Sequence, residues 1–321
     1  MVRAAMVALL AGLAGSLLPA AQAADRYPSR PIRVIVPFAA GSATDATARI
    51  LAQELAKRLD QSVVVENRAG AFGQIAAQAV ARSAPDGYTV FITSNTTHSA
   101  NPHLYRTLPY DPIKDFEPVA KIGLLPFLLV VAPSLPVNST AELIAYARAH
   151  PEALTYGTPN STSLVTTETI KHLAQISIQR VQYKASPEAV LDLTAGRLQV
   201  MVADLTIAMP QVRAGKLRVL GVTTAKRTAL LPAAPPIADA VPGVDLAGWF
   251  GVFVRAGTPK EIVARLSKEL LDALSKADIG KRLAEVGVEV DPLGPEAFGR
   301  FVREQLERWG RLIRAAGIQP E

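Results

Sequence analysis

Ile32-Arg33-Val34-Ile35-Val36-Pro37-Phe38-Ala39-Ala40-Gly41-Ser42-Ala43-Thr44-Asp45 is the stretch whose parsing decides the fold. The apolar run Ile32 to Val36 reads as a buried β-strand, and from Thr44 to Leu59 apolar residues recur at Ala48, Leu51, Leu55 and Leu59 with helical spacing. Between them lies a turn of small residues. A strand that turns into a helix this way leaves unpaired N–H groups and the positive end of the helix dipole in the turn, which together can seat an anion. A plain strand-to-helix connector gives the same pattern, so the turn alone leaves both readings open.

Outward from this turn the alternation continues. Val63 to Val65 reads as a strand, Gly70-Ala71-Phe72-Gly73 leads a helix over Gln74 to Arg82, and Pro85-Asp86-Gly87 turns into a strand over Tyr88 to Thr93. The βαβαβ order predicts a parallel sheet with helices on its faces. Ser94-Asn95-Thr96-Thr97-His98 follows as a polar run at a strand's carboxyl end, where open α/β sheets bind ligands. After an irregular stretch from Pro102 to Pro118, a second series begins with a strand over Phe127 to Ala132. It continues with a helix over Ala141 to His150 capped by Ser139 and Glu142, a strand over Leu154 to Tyr156, and another hydroxyl-rich loop, Gly157 to Ser163. Further strands are expected over Gln179 to Tyr183, Leu198 to Val202 and Leu217 to Val222, with a helix opened by Ser186 as N-cap and Pro187 at N1.

Pro232 to Pro242 reads as a linker, Phe250 to Val254 as a strand, and Thr258-Pro259-Lys260-Glu261 as a capping box before a long helix. The last helix, Pro295 to Ala316, carries Phe298, Phe301, Val302, Trp309 and Ile313 on one stripe and stops at Gly317. Two βα series, each with a hydroxyl-rich loop at a strand end, predict two α/β lobes facing a cleft. One lobe is expected from residues 24–124 and 247–321, the other from 125–246. Such a clamshell suits a ligand that is held and then released.

Composition narrows the function. Residues Met1 to Ala23 carry Arg3, an apolar stretch from Ala4 to Leu18 and the pattern Ala21-Gln22-Ala23, the form of a secretory signal peptide cleaved near Ala23. The chain has no cysteine, which excludes disulfides, thiol catalysis and cysteine metal sites. Export without disulfides suits a bacterial periplasm. The net charge of +6 is spread along the chain and aromatic residues are sparse, which argues against a nucleic-acid surface and is compatible with an acidic small ligand. The four histidines, His98, His103, His150 and His172, show no metal-ligand spacing, and no G-x-S-x-G nucleophile elbow occurs. Neither a metal nor a cofactor nor catalysis is expected.

The runs PFAAGSATD, VVVENRAGAFGQIAAQAVARSAPDGYT, SNTTHSANPHLY with LPYDPIKDFEPV, AGKLRVLGVTTAKR and FVRAGTPKEIVARL together resemble the Bug family. These are extracytoplasmic solute receptors related to the tricarboxylate-binding component of tripartite tricarboxylate transporters. The resemblance spans the mature chain. It implies a two-lobed type II periplasmic-binding-protein fold of Venus-flytrap form and a monomeric receptor for a small carboxylate. The receptor would pass its ligand to membrane transporter subunits or present it to a sensor kinase. It further implies ligand contacts from Phe38, Ala39, Ser42, Thr44 and Asp45, from Asn95, Thr97 and His98, and across the cleft from Thr158, Asn160, Ser161, Thr162, Tyr183 and Asp204.

The chain departs from the family pattern where ligand would lie. Ser42 and Ala43 replace two of the usual glycines before Thr44-Asp45, Pro159 interrupts the second-lobe loop, and the acidic residue expected near position 203 stands at Asp204. Asp45 is open between capping its helix and touching ligand, and Lys184, beside Tyr183, between a solvated lysine and a partner for a second carboxylate. Arg68 is expected to fix a turn.

Overall fold

A computed structural model describes residues 27–151 and 153–321; the expected signal peptide, Met1 to Ala23, lies outside the described residues. The chain opens with β1 (Ile32–Val36), α1 (Ala43–Leu59), β2 (Val63–Asn67), α2 (Gln74–Ala81) and β3 (Thr89–Ser94). A π-helical turn over Thr96–Ala100 then runs into the short α3 (Asn101–Leu104). β1 lies between β2 and β3 and is parallel to both, and every residue of it except Arg33 is buried, in keeping with its nearly all β-branched sequence.

β4 (Phe116–Leu125) joins this sheet, and a single residue, Pro126, separates it from β5 (Phe127–Val131) in a second sheet. The second series follows as α4 (Thr140–Ala149), β6 (Thr155–Thr158), α5 (Ser161–Ala174), β7 (Gln179–Gln182), α6 (Ser186–Thr194), β8 (Val200–Asp204), α7 (Leu205–Arg213) and β9 (Arg218–Val222). The chain then returns to the first sheet with β10 (Gly248–Arg255), α8 (Lys260–Leu274), α9 (Ala277–Glu285), β11 (Glu289–Leu293) and α10 (Pro295–Ala315). The first sheet has the order β11-β4-β10-β3-β1-β2 and the second β7-β6-β8-β5-β9. Each therefore contains three parallel strands flanked by antiparallel ones, and the molecule is a two-lobed α/β fold.

The segments that enter and leave the second sheet are tied to one another where the chain crosses between the lobes. Thr223 N donates to Phe127 O at 3.0 Å, Thr223 Oγ1 accepts from Phe127 N at 3.1 Å, and Leu246 N donates to Thr223 O at 2.9 Å. A buried apolar cluster also bridges the lobes, with Phe72, Leu104, Trp309 and Ile313 packed on Leu164 and Val165 of α5. In the first lobe α10 lies so close to β10 that a Cβ on Gly251 would meet the Phe298 ring, so only glycine fits there.

Several local expectations are corrected. Thr258 forms no capping box: its hydroxyl donates to Arg255 O at 2.7 Å, and α8 begins after Pro259. Ser186 and Pro187 sit one position further into α6 than expected, with Ala185 at the N-cap. The proline-rich segment 232–242 is packed rather than a free linker, burying Ala234, Ile237 and Val241 and pairing Pro236 with Val222. The polar run after β3 is not a loop: Ser94 through Ala100 are all buried, and most of them form the π-helical turn.

Candidate functional site

The opening turn is built from its own side chains. Gly41 takes φ of +80°, a left-handed conformation that suits glycine, and Ser42 caps α1 by accepting from Asp45 N at 3.3 Å. The first intrahelical bond runs from Ala46 N to Ser42 O, so the amides of Ala43 and Thr44 come before it and remain open. Asp45 turns back on the loop. It accepts from Gly41 N at 3.0 Å, from Asn67 Nδ2 at 2.9 Å and from Arg49 Nε at 3.0 Å, while Asn67 also donates to Phe38 O at 2.9 Å. Burial pushes the Asp45 carboxyl up, but Arg49, the Gly41 amide and Asn67 outweigh it and hold it below the usual carboxylate range.

Across the cleft the same construction recurs twice. Asn160 caps α5 by accepting from Ser163 N at 3.0 Å, and Ser163 Oγ donates to Val202 O at 2.6 Å, fixing the helix on β8. Leu164 N is the first amide bonded back, to Asn160 O, which leaves those of Ser161 and Thr162 open. At the end of β8, Asp204 caps α7 by accepting from Ile207 N at 3.4 Å. Ser186, at the start of α6, faces the same space.

Four helix N-termini, from α1, α5, α6 and α7, thus converge on one cavity between the lobes. Its walls are Phe38, Ser42, Ala43, Thr44, Ser94, Asn95, Thr96, Leu125, Phe127, Asn160, Thr162, Ser186, Asp204 and Phe250. None of these is a lysine, arginine or histidine. The attraction for an anion therefore comes from amides, hydroxyls and helix dipoles, each terminus contributing roughly 0.3–1 kcal/mol and up to about 2 when partly buried. The cleft is nearly shut, leaving a cavity of about 30 Å³. Two hydrogen bonds cross it: Asn95 Nδ2 donates to Thr162 Oγ1 at 3.1 Å, and the hydroxyls of Thr96 and Ser161 pair at 2.8 Å. A larger groove of about 850 Å³ belongs to the first lobe alone, beside β4 and α10, and does not lie between the lobes.

Of the residues singled out in the sequence, Phe38, Ser42, Thr44, Asn95, Asn160, Thr162 and Asp204 line this cavity. The others stand behind or beside it. Asp45 holds the turn, Ser161 makes a cross-cleft bond, and Ala39 lies outside the lining. Thr158 Oγ1 donates to Val181 O and accepts from Arg180. Thr97 Oγ1 pairs with Thr93 Oγ1 and with His98 Nδ1, and the His98 ring stacks 3.9 Å from Phe253 inside the first-lobe aromatic core, where burial pushes the imidazole down to about 3. Tyr183 donates to Asp192 and, with Lys184, lines a neighbouring groove opposite Gly70 to Phe72. Arg68 pairs with Glu66. Sequence reasoning missed Ser186, which it read only as a helix start, and Leu125, Phe127 and Phe250, apolar residues at the crossings between lobes, where nothing in the sequence distinguishes a cavity wall from core.

Comparison with known proteins places this architecture. Residues 47–318 match the family model described as tripartite tricarboxylate transporter family receptor. BugT from Bordetella pertussis is 32% identical over 319 residues, covering 98% of this chain and 97% of that protein. The solved structure of R. palustris Rpa4515 with adipate superposes with a TM-score of 0.89 at 40% identity, over 92% of this chain and 100% of the other. MatC from Rhodopseudomonas palustris, solved with bound malate, gives 0.82 at 31% identity, over 89% and 100%. A family match over most of its length, together with a two-lobed architecture shared with these solute receptors, shows that the chain belongs to the tripartite tricarboxylate transporter family receptors, the Bug-type periplasmic solute-binding proteins, and is a receptor rather than an enzyme.

Proposed function

We propose that this receptor captures a small carboxylated solute in the periplasm, closes its lobes around it and hands it to the membrane subunits of a tripartite tricarboxylate-type transporter. The observation that carries this reading is the convergence of four helix N-termini on a buried cavity whose walls, among the described residues, contain no cationic side chain. Open amides at Ala43 and Thr44 on one side and Ser161 and Thr162 on the other form a two-sided seat for carboxylate oxygens. The narrow cavity means that the lobes must part at the Pro126 and 223–248 crossings before a ligand enters, and reclose through the Asn95–Thr162 and Thr96–Ser161 bonds. Relatives solved with adipate and malate support a dicarboxylate of four to six carbons as the ligand class.

Thermal-shift screening of the purified protein against small mono- and dicarboxylates, amino acids and aromatic acids tests the reading. At least one carboxylate is expected to raise the melting temperature, because a ligand bound only by the native state stabilises it by mass action. No shift with any carboxylate, or turnover of a bound one, would overturn it. Transfer to a membrane partner is tested by uptake into cells that carry the transporter subunits, with and without this receptor.

A further inference from the structure

Among the described residues, Asp204 is the only ionisable side chain that lines the cavity. It ends β8, stands in register with Phe127 of β5, and is 4% exposed. One carboxyl oxygen caps α7 through a long 3.4 Å bond from Ile207 N. Among the described residues, no cation faces it from the elements around the cavity. On α1, Asp45 is already taken up by Arg49 and Asn67. Below the π-helical turn, His98 is enclosed by Phe91, Phe116 and Phe253. On α5, Glu168 is bound to Tyr156 and Lys171, and on α6 Glu188 is exposed. Arg213 is at the far end of α7 itself. The turn before β11, which packs on Leu205 and Thr206, is flanked by Glu285 and by Glu289, the latter held by Thr228.

The site thus seats one anion well and presents a built-in carboxylate to the remainder of the ligand. Two ionised carboxylates in so small a space repel, and one of them must take a proton. The converging helix termini also make the space unfavourable for an ammonium group. We propose that Asp204 sets the specificity for the ligand's far end, accepting a hydrogen bond from a neutral donor there (hydroxyl, carboxamide or protonated carboxyl), so that a dicarboxylate is bound as its monoanion. The added proton comes from solvent and is shared between Asp204 and the distal carboxyl. Burial, opposed by the Ile207 amide, pushes the Asp204 carboxyl up to about 6, which makes that uptake accessible near neutral pH. This rests on the carboxylate-receptor reading above.

Calorimetric titration at pH 5.5 and 8.0 with succinate, succinamate, adipate and adipamate tests it, using the wild type and Asp204→Asn. Asparagine is itself a good N-cap, so α7 keeps its start. For the wild type, the affinity of any dicarboxylate that binds is expected to fall at least tenfold from pH 5.5 to 8.0. Its half-amide should hold constant. Repeating the pH 8.0 titration in two buffers of different ionisation heat should show close to one proton taken up with the dicarboxylate and none with the half-amide, a readout that loss of a structural cap would not change. Asp204→Asn should abolish both the pH dependence and the proton uptake. Dicarboxylate binding that is independent of pH and of Asp204→Asn would overturn this inference and leave the receptor reading standing. Failure of all four compounds to bind the wild type would overturn this inference, while the receptor reading falls only if the wider carboxylate screen also finds no ligand.

Discussion

Asn95 Nδ2, at the end of β3, donates across the cleft to Thr162 Oγ1 in the first turn of α5, 3.1 Å away, while Asn95 Oδ1 accepts from Trp249 N of β10 at 3.3 Å. One buried amide thus joins both lobes and the returning strand. Thr162→Val keeps the shape of the side chain but leaves Asn95 Nδ2 without its acceptor when the cleft shuts. An unpaired buried donor costs about 1–3 kcal/mol. Carboxylate affinity is expected to fall roughly five- to a hundredfold as that cost is charged to the closed form. Small-angle scattering should show a larger radius of gyration for the variant at the same ligand concentration; unchanged affinity and size would separate this bond from closure.

Asp204 should lower stability as pH rises. Burial pushes its folded-state carboxyl up to about 6, above the ordinary 3.8, so the folded chain holds the proton more tightly. The cost of burying the charge is then fully present above about pH 6 and is relieved as pH falls towards 3.8. Asp204→Asn is expected to raise stability at pH 7 by about 2–3 kcal/mol, with the gain fading by pH 4. Urea unfolding at the two pH values reads the difference.

His98 should act in the opposite sense. Its ring is fully buried, Nε2 has no partner among the described residues, and burial pushes it down to about 3 from 6.5. The unfolded chain takes up the proton first, so this contribution is whole above about pH 6.5 and is lost as pH falls towards 3. His98→Phe keeps the stack on Phe253 and removes the titration. Between pH 7 and 4.5 the variant should lose about 2–3 kcal/mol less stability than the wild type, measured by urea midpoints. At pH 7 it should differ by about 1 kcal/mol, from the lost Thr97 bond.

The cores of both lobes were legible because buried strands read as continuous apolar runs between periodic helices, as in the parallel strand Ile32 to Val36 and the antiparallel strand Phe127 to Val131. β4 was not, because its ten residues contain Glu117, Pro118, Lys121 and Gly123, and its pairing with β10 shifts register twice. Lys121 is 2% exposed yet bonded to Asp291 and set over the Phe301 ring, a partnership visible only in three dimensions. β11 was missed for the related reason that it is short, carries Pro292 and is largely solvent-facing. In the site, the turns were legible as helix starts. Which hydroxyl faces ligand was not, because Thr97 and Thr158 are taken up by partners far along the chain or in the next turn. The polar run Ser94 to His98 resembles a loop in composition, but a π-helical turn places it inside.

Asp45 holds the seat rather than filling it. Asp45→Ala removes acceptors for Gly41 N, Asn67 Nδ2 and Arg49 at once. Stability at pH 7 is expected to fall by about 1–3 kcal/mol, and ligand affinity with it as the 38–42 turn loosens. Because its carboxyl is held below the ordinary range, the wild-type contribution is present above about pH 4 and is lost as pH falls through the folded value. Urea unfolding at pH 7 and pH 3 should show the two proteins converging in acid.

Carboxylate seating on the open amides of α1 is tested most directly by Ala43→Pro. Ala43 is the first helical residue, where proline is well tolerated, and Ser42 before it is extended at φ −71° and ψ 160°, as a residue preceding proline prefers. The substitution deletes one amide donor and leaves the helix, its cap and every other wall of the cavity in place. Titration calorimetry with the best carboxylate from the screen should show at least a tenfold loss of affinity, since a hydrogen bond to a charged group contributes roughly 1.5–3 kcal/mol. The melting temperature of the protein alone should stay within a few degrees of the wild type. Undiminished carboxylate affinity in a folded Ala43→Pro protein would contradict the placement of the ligand at the N-terminus of α1.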